Sequence, residues 1–276
     1  MVGGNKRILY CSPIFQNFIR KTLKLVFNNY FNVNLHGKEN IPKKGSLIFS
    51  CNHTNNLDPL ILAGQTKRIN YAMSKKELFF PGLRNILVKL GAYPVETKPT
   101  KKEYKELTEN YGLLISKRKQ DKFLKEINQH ILKKDRLDNL SGLDHKLFTE
   151  YILNTGGGLI LFLPGTRLKD YDNINNPKKG AAWNTFEMYE KHKTIVNIIP
   201  SSIVYSLNKK PFIAETYAMK YKTKVDIVLG KPITIEDHFK GYKTNKKEAV
   251  NKLTDIINKE INSQIRITFN NLSGLK

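Results

Sequence analysis

The chain has 276 residues, 40% of them hydrophobic and 26% charged, a composition that excludes a disordered chain and allows a sizeable core in one large domain. Its 47 Lys and Arg against 24 Asp and Glu leave a formal net charge of +23, more than solubility needs, so an anionic partner is expected: nucleic acid, an anionic membrane or a phosphorylated substrate. Cys11 and Cys51 stand far apart without a CxxC motif or metal-ligand spacing, and no run of about 18 apolar residues occurs, which argues against a disulfide framework, a zinc site, export and a spanning helix.

Ser12 and Pro13 have the form of an N-cap and first helical residue, opening "IFQNFIRKTLKLVFNNYF". There Ile14, Phe15, Phe18, Ile19, Leu23, Val26, Phe27, Tyr30 and Phe31 recur at helical offsets, predicting one apolar face with Arg20, Lys21, Lys24 and Asn28 elsewhere. Periodicity fits either a core-packing helix or one lying in a membrane interface. After the turn "ENIPKKG", the run "SLIFSCN" reads as a buried strand, and "DPLILAG" as a helix with Asp58 at the N-cap and Pro59 at N1. "INYAMS" and "AYPV" are strand candidates on either side of "KKELFFPGLRNILVKLG", which is helical with a break at Pro81 and Gly82. Lys98 to Asn154 is Lys-rich and helical in pattern, and reads as an insertion. "GGGLILFLPGTR" returns to strand and ends in a turn. "PKKGAAWNTFEMYEKH" is helix-like, "TIVNIIPSSIVYS", "PFIAETYAMKY" and "KVDIVLGKPI" are strands, and a closing helix runs from about Lys246 to Ile265. The alternation predicts an α/β fold with a mixed, largely parallel central sheet flanked by helices.

His53 and Asp58 fall where the first strand gives way to a helix, at the edge of an α/β sheet where loops carry function. A carboxylate there can cap a helix and also orient an imidazole. The spacing alone is weak evidence, but "NHTNNLDP" resembles the NHxxxxD motif of the glycerolipid acyltransferases, the family of lysophosphatidic acid and glycerol-3-phosphate acyltransferases. Three further blocks match in order. "SKKELFFPGLRNILVKLGAYPV" resembles the second, with Lys75, Glu77, Pro81, Gly82 and Gly91 in place. "LILFLPGTR" resembles the third, usually FPEGTR, and "KKGAAW" with "IVNIIPSSI" resembles the helix and proline-containing strand after it. The resemblance covers roughly residues 40 to 205.

It implies a transfer of a fatty acyl chain from acyl-CoA or acyl carrier protein, as co-substrate and with no resident cofactor or metal, to the hydroxyl of a lysophospholipid such as 1-acylglycerol-3-phosphate. His53 is expected as general base and Asp58 as its orienting acid, with no covalent intermediate. Lys75, Gly165, Thr166 and Arg167 are expected to bind substrate phosphate, glycine by close approach, threonine by its hydroxyl and the cations by charge. The resemblance also favours membrane docking for residues 1–35, with the acyltransferase domain at 36–276 and its helical insertion at 98–154. Peripheral attachment to an anionic membrane on its cytoplasmic face follows. Departures are Leu163 and Pro164 where the family has Pro and Glu, and Thr97 where an arginine is common. The competing expectation is a basic membrane- or nucleic-acid-binding protein with a degenerate pocket, although lysines dispersed without stacking aromatics weigh against nucleic acid. A serine hydrolase lacks its GxSxG elbow here.

Overall fold

The computed structural model describes residues 13–68, 70–75, 86–87, 90–95, 145–169, 171, 174–213, 220–236 and 238–274. Cys11, Glu77, Pro81, Gly82, Thr97 and most of the 98–154 insertion lie outside them. The chain divides into two compact units, one of residues Met1–Gln16 and Met73–Thr149, the other of Asn17–Ala72 and Glu150–Lys276.

In the second unit a sheet is built from β1 (Asn32–His36), β2 (Ser46–Cys51), the first half of β3 (Asn70–Lys75), β5 (Gly158–Phe162), β6 (Val196–Leu207), the short β7 (Lys210–Pro211) and β8 (Lys224–Leu229). Its strands lie in the order β1, β8, β6, β2, β5, β3, with β7 on β6. Neighbours run parallel except where β6 meets β8 and β7, so the sheet is mixed and mostly parallel, as the alternating pattern predicts. β2, at the centre, is buried end to end, which is why "SLIFSC" is an unbroken run rather than an alternation.

Helices cover the sheet: α1 (Pro13–Tyr30), α2 (Asp58–Gln65), α3 (His145–Asn154), α4 (Gly180–His192), α5 (Phe239–Thr244) and α6 (Lys246–Ser273). The last continues to Ser273, well past the expected end near Ile265. Asn245 caps it by accepting from the Glu248 amide at 3.2 Å, and Leu253, Ile257, Ile261 and Ile265, four residues apart, form its buried face. α3 leads into β5 with Ile152 and Leu153 buried. In the first unit lie β4 (Ala92–Val95), the buried Tyr93 hydroxyl 3.0 Å from Thr149, and the Gln16 amide donating to the Leu90 carbonyl at 2.8 Å.

β1 and α5 were not anticipated. "NVNLH" does alternate polar and apolar residues, but it is short and follows the first helix almost without a break. Of the expected strand "PFIAETYAMKY" the described residues show Pro211, which ends β7, and an amide of Phe212 bonded to the Tyr205 carbonyl, residues 214–219 lying outside the described set.

α1 also refines an expectation. Its apolar arc is broader than the core covers: Leu23 and Phe27, with Phe31 just past its end, pack into the core, whereas Phe18 (64% exposed), Leu25 (64% exposed), Val26 and Tyr30 face outward, as does Ile14 in its first turn. The arc stands opposite a polar stripe of Asn17, Arg20, Lys21, Lys24 and Asn28, and one edge of it serves the fold while the rest is left over. The inner face rests on α2, where Gly64 lets Leu23 approach to 3.4 Å of where a β-carbon would stand. Among the described residues no helix is long and apolar enough to cross a membrane.

Candidate active site

The site forms where the parallel strands β2 and β5 end beside β6, at the carboxyl edge of the sheet. β2 stops at Cys51, but Asn52 prolongs the pairing with its side chain. Its amide nitrogen donates to the Ile203 carbonyl at 2.9 Å, and its oxygen accepts from the Ile203 amide at 2.8 Å. This buried side chain does the work of a ladder residue, which frees the backbone to turn and present His53.

The turn is organised by one acid. Asp58 Oδ2 accepts from the backbone amides of Thr54 and Asn55, each at 2.8 Å, and from His53 Nδ1 at 2.9 Å. Asp58 Oδ1 accepts from the Tyr205 hydroxyl at 2.5 Å. Asp58 is therefore not the N-cap that "LDP" suggests; Leu57 holds that position, and Asp58 is the first helical residue, its carboxylate directed back over the preceding loop. Asn55 completes the loop, its side-chain oxygen accepting from the Leu57 amide at 2.8 Å. A wholly buried carboxylate is costly unless its oxygens are satisfied, and here four donors converge on them.

An ionised carboxylate only accepts hydrogen bonds, so the proton between the pair belongs to His53 Nδ1 and the lone pair to Nε2. The ring is 17% exposed and Asp58 wholly buried, so the imidazole can be reached from outside while the acid that holds it is closed to water. Phe162, at the end of β5, stacks on the imidazole with centroids 4.0 Å apart and planes 19° apart. Burial, followed by the charge of Asp58, raises the Tyr205 hydroxyl well above its usual range, so it stays a donor. Burial likewise pushes the Cys51 thiol above its usual range, against a hydrogen bond to Ser201 that lowers it, which leaves this sulfur protonated and no nucleophile.

The expected phosphate turn lies alongside. The Gly165 amide donates to the Phe162 carbonyl at 3.0 Å, with Gly165 at φ 74°, a left-handed conformation that favours glycine. The Leu163 amide bonds the Cys51 carbonyl and the Leu168 amide the His53 carbonyl, both at 2.7 Å, which ties this turn to the histidine loop. Leu163 and Pro164 are buried beneath it, while Gly165, Thr166 and Arg167 are exposed. Farther along, Ile174 is held by α6, its amide donating to Asn262 at 3.4 Å and its carbonyl accepting from Asn258 at 3.0 Å. The Tyr171 hydroxyl accepts from the Tyr205 amide at 2.8 Å.

The structure thus brings together His53, Asp58, Gly165, Thr166 and Arg167. Lys75 closes β3, and its side chain lies outside the described residues. Phe162 and Tyr205 escaped sequence reasoning, and Asn52, though it opens the quoted motif, is given no role there. Nothing in spacing marks Tyr205, which reaches Asp58 from β6. Among the described residues no group of three or more His, Cys, Asp or Glu is placed to hold a metal.

No curated protein matches the sequence. The fold is similar to the crystal structure of the 1-acyl-sn-glycerophosphate (LPA) acyltransferase PlsC from Thermotoga maritima, at TM-score 0.57 and 18% identity over 91% of this chain and 79% of that one. The acyltransferase family model matches residues 32–204, a span that takes in the His53 and Asp58 turn, β5 and the Gly165 to Arg167 turn. With more than half of its length matched, including both loops of the site, this chain belongs to the acyltransferase family.

Proposed function

We propose that the protein transfers a fatty acyl chain from a thioester donor, acyl-CoA or acyl carrier protein, to the free hydroxyl of a lysophospholipid, with 1-acylglycerol-3-phosphate as the favoured acceptor. The observation that carries this reading is the orientation of His53: Nδ1 is bound to a buried, fully bonded carboxylate, and the basic Nε2 is left for substrate. An alcohol is a poor nucleophile near neutrality. Nε2 takes its proton as the oxygen attacks the thioester carbonyl, and Asp58 stabilises the imidazolium that forms. Collapse of the tetrahedral adduct breaks the carbon–sulfur bond, and the imidazolium returns the proton to the leaving thiolate. The products are an ester and a free thiol, and no resident cofactor takes part in this scheme. Arg167 and the Gly165 turn, tied to the His53 loop through Leu168, are suited to an anionic headgroup near the reacting hydroxyl.

Membrane attachment belongs to the same reading. The outer face of α1, with Phe18, Leu25, Val26 and Tyr30, is apolar and exposed, and Tyr221 and Lys222 lie against its end, the Tyr30 and Tyr221 rings 5.8 Å apart. Such a face can enter the acyl boundary while nearby cations meet lipid phosphates.

The deciding assay follows thiol release from oleoyl-CoA with a panel of lysophospholipids. Lysophosphatidate is expected to support turnover, and His53→Ala to lower it by about 10²- to 10⁴-fold. Undiminished turnover in that variant rejects His53 as the base. Phe18→Glu with Leu25→Glu is expected to weaken binding to phosphatidylglycerol vesicles, followed by sedimentation, by about 10²-fold or more, since each large apolar side chain contributes on the order of 1.5–3 kcal/mol when buried. Equal sedimentation rejects the docking face.

A further inference from the structure

We propose that Lys178, a residue of the loop before α4, grips the phosphate of the acceptor over the Gly165 turn and so selects acceptors that carry a phosphomonoester. The inference rests on the transfer reading above and names a group that it did not include. Lys178 is far from Gly165 in sequence, yet its amide bonds the Leu163 carbonyl at 2.6 Å and its side chain lies across the turn. A β-carbon at Gly165 would stand 2.8 Å from Lys178 Cγ and 3.0 Å from its Cε, so the whole stem runs over this glycine. The turn in question is the one bonded to the His53 loop, and it begins at Phe162, whose ring covers the imidazole. Among the described residues Lys178 has no carboxylate partner.

Its position carries a cost that needs an explanation. Lys178 and the N-cap Lys179 stand at the start of α4, whose first turn holds no acid, and cations at the positive end of a helix dipole are unfavourable. A bound phosphate offsets that repulsion. The acceptor supplies it at the right place, because in a 1-acylglycerol-3-phosphate only a few bonds separate the reacting hydroxyl from phosphorus. Coenzyme A holds its phosphates a full pantetheine arm from the thioester. The lysine also fits one departure in this chain, Pro164 in place of the usual acid of the turn, while Gly165 leaves room for the stem.

The test uses Lys178→Met, which keeps the stem and removes the charge, and Lys178→Arg, which keeps the charge. With oleoyl-CoA as donor, Lys178→Met is expected to raise KM for 1-oleoyl-lysophosphatidate about tenfold, with kcat held within about twofold, as for a lost charge-assisted hydrogen bond. KM for oleoyl-CoA and turnover of uncharged 1-oleoylglycerol are expected to be unchanged, Lys178→Arg to restore most of the loss, and the Tm of Lys178→Met to be equal or higher. An unmoved KM for lysophosphatidate, a rise confined to oleoyl-CoA, or a fall in Tm with equal loss toward both acceptors overturns the assignment. Should the wild-type chain release no thiol with any acceptor, the transfer reading fails on its own. Calorimetric binding of lysophosphatidate in detergent then decides the lysine: about tenfold weaker binding by Lys178→Met upholds it, whereas equal binding, or none by wild type, overturns it.

Discussion

Three histidines among the described residues meet a carboxylate, His36 loosely with Asp226 at 3.4 Å, and of the two close pairs the tighter is not the one at the site. His192 Nε2 lies 2.6 Å from Glu150 Oε1, closer than the 2.9 Å between His53 Nδ1 and Asp58 Oδ2. Glu150, however, is 24% exposed and shared with Lys191 at 3.1 Å, while Asp58 is sealed from water and also bound by two backbone amides and a tyrosine. The pairs also use opposite nitrogens. Glu150 occupies Nε2 of His192, the ring's outermost nitrogen, whereas Asp58 takes the inner Nδ1 and leaves Nε2 free. The proposed catalytic pair is thus set apart by what fixes the acid and by which lone pair remains, rather than by how near the two groups come.

The contrast predicts a gradient of effects. Asp58→Asn is expected to reduce turnover by about 10²- to 10⁴-fold, since an amide in this place can donate to Nδ1 and reverse the tautomer. Steady-state kinetics of thiol release at saturating acceptor measures it, and an effect below about tenfold would mean that the acid's orientation matters little. Tyr205→Phe leaves one oxygen of a buried carboxylate unsatisfied and is expected to cost about 1–3 kcal/mol of stability by denaturant unfolding, with a smaller loss of rate. His192→Ala should leave turnover within about twofold of wild type and stability within about 1 kcal/mol; a larger drop in rate would erase the distinction between the two pairs.

The smallest effect is one of pH. Burial alone would raise the Glu150 carboxyl, but hydrogen bonds from His192 and Lys191, with their charges, outweigh it and hold it below its usual value. A group whose folded value is depressed contributes stability above its unfolded value and loses it as pH falls through the folded one. Acid unfolding below the ordinary glutamate range is therefore expected to be slightly shallower in Glu150→Gln, while near neutrality that variant loses at most about 1 kcal/mol because the pair is partly solvated. Identical acid-unfolding curves for the two proteins would show that the contact contributes nothing.

Residue order was sufficient for the parts of the molecule governed by local rules. Buried parallel strands need continuous apolar runs, so "SLIFSC", "GLILF" and "VNIIPSSIVYSL" stood out, and their alternation with helices made a mostly parallel sheet the expected outcome. The histidine and aspartate were legible as well, since five residues at a strand-to-helix turn bring them together whatever surrounds them. Tertiary structure alone decided that Asp58 reaches back over its loop instead of capping α2, because its partner Tyr205 comes from β6, and only the parallel register of β2 with β6 brings that strand beside the His53 loop. It also decided which side of α1 meets the core. The apolar arc of α1 is wider than the core covers, so residue order leaves open which edge is buried, and Leu23 on the buried edge lies against Gly64 of α2. Lys178 is the clearest case: nothing in its neighbours relates it to Gly165, and the two meet only because the chain returns from β5 to begin α4 over the same turn.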